Sequence, residues 1–133
     1  MAFVADTAYA PQLLVFRGMT EWPSLAEQVA VYGRLTGEGF LNINTFALLD
    51  FRQAVVTTPT APADAHAVTA GGPRRRAYVV NTPGQRDFIA AMQERAPRGF
   101  QLQAFDNEAD AVAWLFARRQ AFPVTFLSQP ASR

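Results

Sequence analysis

Four runs of apolar, β-branched or aromatic residues set the framework of this chain. Gln12–Phe16 (QLLVF) is continuously apolar and ends at Arg17-Gly18. Phe46–Phe51 (FALLDF) is apolar on both faces, as a central strand covered by helices should be. Arg76–Asn81 (RAYVVN) is short and β-branched, and Phe100–Phe105 (FQLQAF) alternates, with Phe100, Leu102 and Ala104 on one face. A further short run at Phe3-Val4 reads as the first strand of a hairpin with QLLVF, although Pro11 makes its surroundings a turn or an edge.

Between these strands lie helix signals. Ser24 followed by Glu27 is a capping-box pattern, and Leu25, Val29 and Tyr32 form an apolar stripe that ends at Gly33 or Gly37. Thr82 is an N-cap with Pro83 in the first turn and Gln85 completing a second capping box. Phe88, Ile89 and Met92 give that helix its apolar side, and Pro97 with Gly99 stops it. Asp106 or Asn107 caps a last helix, with Glu108 and Asp110 at its positive end, Val112, Leu115 and Phe116 inward, and Arg118 and Arg119 in its last turn. Strands alternating with helices predict an α/β fold: a mixed, mostly parallel sheet of four to five strands with helices packed against it. Residues 58–73 (PTAPADAHAVTAGGP and its flank) read as a surface loop, and residues 120–133 as a tail, within one domain spanning 1–133.

Composition narrows the chemistry. The chain has 133 residues, half of them hydrophobic and 17% charged, so a sizeable core is expected and disorder is not. A net charge of +1 implies no global attraction to nucleic acid. The absence of cysteine excludes disulfides and thiolate chemistry. No run suits a membrane helix and the first residues do not read as a secretory signal, so a soluble, cytoplasmic protein without membrane insertion is expected. His66, the sole histidine, has Asp64 nearby but no second histidine, so neither metal nor cofactor is expected. Ser24, Ser128 and Ser132 lie in no nucleophile elbow. The run Arg74-Arg75-Arg76 lacks interleaved aromatics and reads as a solvated strand entrance.

Asp50 and Arg52 stand out because ligands bind at the carboxyl ends of strands in open α/β sheets. The N-terminus of the Thr82 helix offers free N–H groups that Arg86 could support. Asp50, Arg52, Thr82 and Arg86 are therefore the candidate ligand residues. Trp22, in a Glu-Trp-Pro turn, is the aromatic most expected to be partly exposed and to anchor a partner.

The stretch Gln103–Leu115 (QAFDNEADAVAWL) resembles the C-terminal half of STAS-like proteins related to anti-sigma-factor antagonists, the SpoIIAA-like group. Leu14–Thr20 (LVFRGMT) resembles their first strand and its following turn, and Phe46–Arg52 (FALLDFR) their central strand ending in Asp. The resemblance spans roughly Gln12 to Arg119. It implies a non-enzymatic regulatory or protein-interaction module, with another protein or a second copy (a homodimer) as partner. In switchable members an Asp-Ser-Ser-Gly-like turn after the central strand carries a phosphorylated serine. This chain has Arg52–Thr58 (RQAVVTT) there, so no phosphosite is carried over, and Thr57 and Thr58 are candidates by location alone. Two rival readings are a small-ligand-binding domain using Asp50, Arg52 and the Thr82 helix start, and an enzyme acting on a small anion through Asp50 and Arg52.

Overall fold

The computed structural model describes residues 3–55 and 71–117. Thr57, Thr58, Asp64, His66, Arg118, Arg119, the two C-terminal serines, most of the 58–73 loop and the 120–133 tail lie outside the described residues. Five strands form one sheet in sequence order: β1 (Ala5–Asp6), β2 (Leu13–Phe16), β3 (Phe46–Asp50), β4 (Arg75–Val79) and β5 (Gln101–Phe105). The β1–β2 pair is antiparallel, as the hairpin pattern predicts, although its first strand is Ala5–Asp6 and not Phe3-Val4, and the other three pairings are parallel. Helix α1 (Leu25–Gly37) connects β2 to β3, α2 (Pro83–Arg95) connects β4 to β5, and α3 (Glu108–Phe116) follows β5.

Alternation along the strands divides the core between two faces. Leu14, Phe16, Ala47, Leu49, Tyr78 and Leu102 pack against α1 and α2, where Tyr32, Leu35, Phe88, Ile89 and Met92 are buried. Leu13, Val15, Phe46, Leu48, Ala77 and Val79 pack against Ala111 and Leu115 of α3. The three inner strands are covered on both sides, which explains the continuous apolar runs Leu13–Phe16, Phe46–Leu49 and Ala77–Val80.

The helix starts follow the capping chemistry. Thr82 Oγ1 accepts the Gln85 N–H and the Gln85 side chain returns to the cap, a complete capping box. Asn107 caps α3, its side-chain oxygen accepting the Asp110 N–H at 2.8 Å. Ser24 caps α1, but its box is open: the Glu27 carboxylate accepts the backbone N–H of Phe3 at 3.0 Å and ties the chain before β1 to the helix. The α1 stripe also differs from the expected one. Val29 is 56% exposed, and the buried positions are Gln28, Val31, Tyr32 and Leu35. Burial of Gln28 is compensated by its amide donating to the Pro23 carbonyl at 3.0 Å, so a polar residue takes the inward place and a valine the outer one.

The arginine run is the largest departure from the sequence reading. Arg75 and Arg76 are not a solvated entrance; they are 8% and 1% exposed, within β4 and on its opposite faces. Arg75 donates to the Trp114 and Leu115 carbonyls at the end of α3, with its guanidinium 3.7 Å from the Trp114 ring centroid. It thus supplies positive charge at the negative end of a helix. Arg76 donates from Nε to the Pro73 carbonyl at 2.7 Å and lies over the Tyr32 ring, 5.4 Å from its centroid. Strand alternation sends these two neighbours to the two cores, and carbonyls and rings replace the water each loses.

Tyr32 meets this arrangement with its ring; its hydroxyl is buried without a hydrogen-bond partner among the described residues, and burial pushes its pKa up to about 12. Gly72 sits tightly beside it: a Cβ there would lie 2.5 Å from Arg76 Nη2 and 2.8 Å from Tyr32 Cε2. Two substitutions should therefore have opposite signs. Tyr32→Phe keeps the ring under Arg76 and removes an unsatisfied hydroxyl, so it should leave stability unchanged or raise it by about 1 kcal/mol. Gly72→Ala should lower stability by roughly 1–3 kcal/mol through overpacking. Denaturant unfolding of both variants checks this, and a destabilised Tyr32→Phe protein would contradict the described environment.

Candidate functional site

The carboxyl ends of β2 and β3 bring charged residues together. Arg17 follows β2, and Gly18 then turns the chain at φ 76°, a conformation that glycine adopts without strain. Asp50 ends β3, and Arg52 follows two residues later. Arg52 grips the Asp50 carboxylate with Nε at 2.9 Å and Nη2 at 2.7 Å, and its backbone N–H donates to the same group at 3.2 Å. Glu108, in the first turn of α3, accepts Nε and Nη2 of Arg17 at 3.1 and 2.8 Å. Arg52 Nη2 also lies 4.0 Å from Glu108, joining the two pairs.

This network borders a cleft of about 400 Å³ lined by Gly18, Met19, Asp50, Arg52, Gln53 and Asn81. Asp50 and Arg52 thus share one site. Thr82 follows Asn81 of its wall, but neither Thr82 nor Arg86 lines it. The Thr82 hydroxyl is engaged in the helix cap, and Arg86 is paired with Asp106. Trp22 belongs to a different place. It is half-buried on the α1 and α2 side, its ring centroid 4.2 Å from those of both Phe51 and Phe88, at a groove of about 300 Å³ that it lines with Phe3, Pro23 and Glu27.

Gln85 fixes the cleft from behind. Its side chain is 3% exposed. The Nε2 group lies within 2.9, 3.2 and 2.8 Å of the Phe51, Arg52 and Ala54 carbonyls. Oε1 accepts the backbone N–H groups of Asn81 and Thr82 at 2.6 and 3.1 Å. One amide therefore joins the turn after β3, the end of β4 and the start of α2. The capping box was visible in sequence as Thr82 and Gln85; the second side of the amide was not. Arg17 and Glu108 were also missed as site residues. Their signal was topological: in a parallel sheet, residues following successive strands collect at one end.

The electrostatics favour fixed charge over proton transfer. The Arg52 guanidinium holds Asp50 below the usual carboxylate range, and Arg17 does the same for Glu108. Reciprocally, Glu108 raises Arg17 and Asp50 raises Arg52. All four groups are charged near neutrality, whereas a general acid or base works best with a pKa near the working pH. Among the described residues no three His, Cys, Asp or Glu side chains gather as a metal-binding group. No helix among them is long and apolar enough to cross a membrane.

The sheet order, its single antiparallel edge and its two-sided helical cover define an α/β fold of the SpoIIAA-like kind. A crystal structure bears this out: an uncharacterised protein of the DUF3478 family with a SpoIIAA-like fold, from Shewanella loihica PV-4, superposes with a TM-score of 0.51 over 77% of this chain and 81% of its own, at 14% sequence identity. No family model matches the sequence, and no curated protein matches it significantly. At that identity the likeness is one of fold.

The depressed carboxylates predict an acid limb in stability. A group whose folded pKa lies below its unfolded value contributes stability above the unfolded pKa and loses it as pH falls through the folded one. For Asp50 and Glu108 that window opens near the ordinary carboxylate range, about pH 4–5, and extends below it. The native protein should destabilise across that window, and Asp50→Asn with Glu108→Gln should flatten the slope. Thermal unfolding as a function of pH checks this; an unchanged slope in the double variant would contradict the ion-pair assignment.

Proposed function

We propose that the chain is a non-enzymatic regulatory or protein-interaction module of STAS-like type, docking through the charged rim formed by Arg17, Asp50, Arg52 and Glu108. The observation that carries this reading is the half-exposed, cross-linked pairing at the carboxyl ends of β2 and β3, with side-chain exposures of 52% for Arg17 and 42% for Arg52. Salt bridges satisfy both carboxylates and two nitrogens of each guanidinium. Nη1 of each arginine has no hydrogen-bond partner among the described residues and offers donors to a carboxylate or carbonyl of a partner. A small anion would have to compete with carboxylates already seated in the guanidinium forks. A protein surface can instead cover paired and free groups together, with the fixed charges setting orientation and association rate.

The interaction reading also suits the resemblance to anti-sigma-factor antagonists, and it requires no titrating group at the rim. Trp22, in a neighbouring groove that shares Met19 with the cleft, is the alternative contact residue. The test is affinity capture from lysate with the native protein, the Arg17→Ala/Arg52→Ala protein and Trp22→Ala. A partner should be held by the native protein in a salt-dependent way, fall about tenfold or more with the double variant, and persist with Trp22→Ala. A partner retained equally by the arginine variant would overturn the rim as docking surface, and its loss with Trp22→Ala alone would move the contact to the Trp22 groove.

A further inference from the structure

The two edges of the sheet are unlike. β1 has two residues and carries Asp6, a short and charged edge. β5 has five residues, Gln101-Leu102-Gln103-Ala104-Phe105, with neither charge nor proline. Proteins commonly protect exposed edges with charge, proline, bulges or brevity, and β5 has none of these.

The hydrogen-bond phase of β5 follows from its two ends. Gln101 N–H donates to the Arg74 carbonyl at 2.7 Å, and the Phe105 carbonyl accepts from Val80 N–H at 2.9 Å. In a parallel ladder the direction alternates by residue. Gln101, Gln103 and Phe105 therefore turn their backbone groups toward β4, and Leu102 and Ala104 turn theirs outward. The outward Leu102 carbonyl accepts the Gln93 side chain. A carbonyl has two lone pairs, so this bond leaves room for another. Ala104 has no hydrogen bond on its outer side among the described residues, and the Gln101 and Gln103 side chains are exposed.

We infer that the β5 edge is a self-association surface, pairing antiparallel with β5 of a second copy about a two-fold axis at Gln103. This register places Leu102 opposite Ala104 of the second copy and Ala104 opposite its Leu102, so the outward N–H and C=O groups of each meet those of the other. Gln103 faces its own counterpart in a non-hydrogen-bonded pair, where the side chains are close. Charge selects the antiparallel sense. Arg74 and Arg98 stand at the start of β5, with Arg74 over the Phe100 ring, and Asp106 and Glu108 stand at its end. A two-fold sets the basic start of each strand beside the acidic end of the other, whereas a parallel mate would set like beside like. The β5 edge shares only Glu108 with the rim, and the inference does not rest on the function proposed for that rim.

Light scattering of the native protein over a concentration series should show mass rising from monomer to dimer, because a short edge contact obeys mass action. Gln103→Lys, an exposed substitution that puts like charges face to face, should keep the protein monomeric. Since the native chain has no cysteine, single cysteines report the register. Cα atoms of a non-hydrogen-bonded pair are about 4.5 Å apart, within disulfide range. Gln103→Cys should therefore cross-link under mild oxidation. Gln101→Cys should not, because its counterpart lies roughly 13 Å away along the strand. A native protein that stays monomeric throughout would overturn the inference, including the case where the edge accepts a peptide instead. Dimers unaffected by Gln103→Lys, or equal cross-linking at 101 and 103, would also overturn it.

Discussion

The side-chain amide of Gln85 connects three segments that the sheet alone does not hold. After β3 the chain leaves the ladder, and the carbonyls of Phe51, Arg52 and Ala54 all face the same Nε2 group. After β4 the N–H groups of Asn81 and Thr82 enter the first turn of α2, where no intrahelical acceptor exists, and both are taken by Oε1. The Phe51 and Ala54 carbonyls are buried, and each left unpaired would cost about 1–3 kcal/mol. Asp50, Arg52, Gln53 and Asn81 sit on or beside these segments, so the shape of the cleft depends on a residue that does not line it. A pre-set rim lowers the ordering cost that a partner would otherwise meet on docking.

Two buried guanidiniums play a corresponding part at the other end of β4. Arg75 ties the strand to the carbonyl end of α3, and Arg76 ties it to the Pro73 carbonyl and the Tyr32 ring. Strand β4 is thereby fixed on both faces at its amino end by charge-assisted bonds and at its carboxyl end by the Gln85 amide. Apolar packing fills the length between. Arg17 and Arg52 with their carboxylates stay accessible and are gathered at the carboxyl ends of β2 and β3.

Much of the architecture was legible because it rests on local rules. Strand runs such as FALLDF and the Thr82-Pro83-Gly84-Gln85 helix start carry their instructions within a few residues, and the structure follows them. What was hidden depends on long-range partners. Arg75 and Arg76 look solvated until α3 and Tyr32 are brought against β4. Val29 fits an apolar stripe until Gln28 finds the Pro23 carbonyl and takes the inward position. Within the site, Asp50 and Arg52 were accessible from strand-end reasoning, while Arg17 and Glu108 meet across 91 residues of sequence. The Gln85 contacts with Phe51 and Ala54 span 34 and 31 residues, beyond any short motif.

Residue-resolved hydrogen exchange at Asn81 and Thr82 tests the Gln85 connection most directly. Both residues are exposed at a helix start, where amide protons ordinarily exchange quickly. If Oε1 of Gln85 accepts both N–H groups, they will exchange as slowly as the Val80 amide and lose that protection in Gln85→Ala. Rapid exchange of Asn81 and Thr82 in the native protein would contradict it, and with it the account of how the rim is held in place.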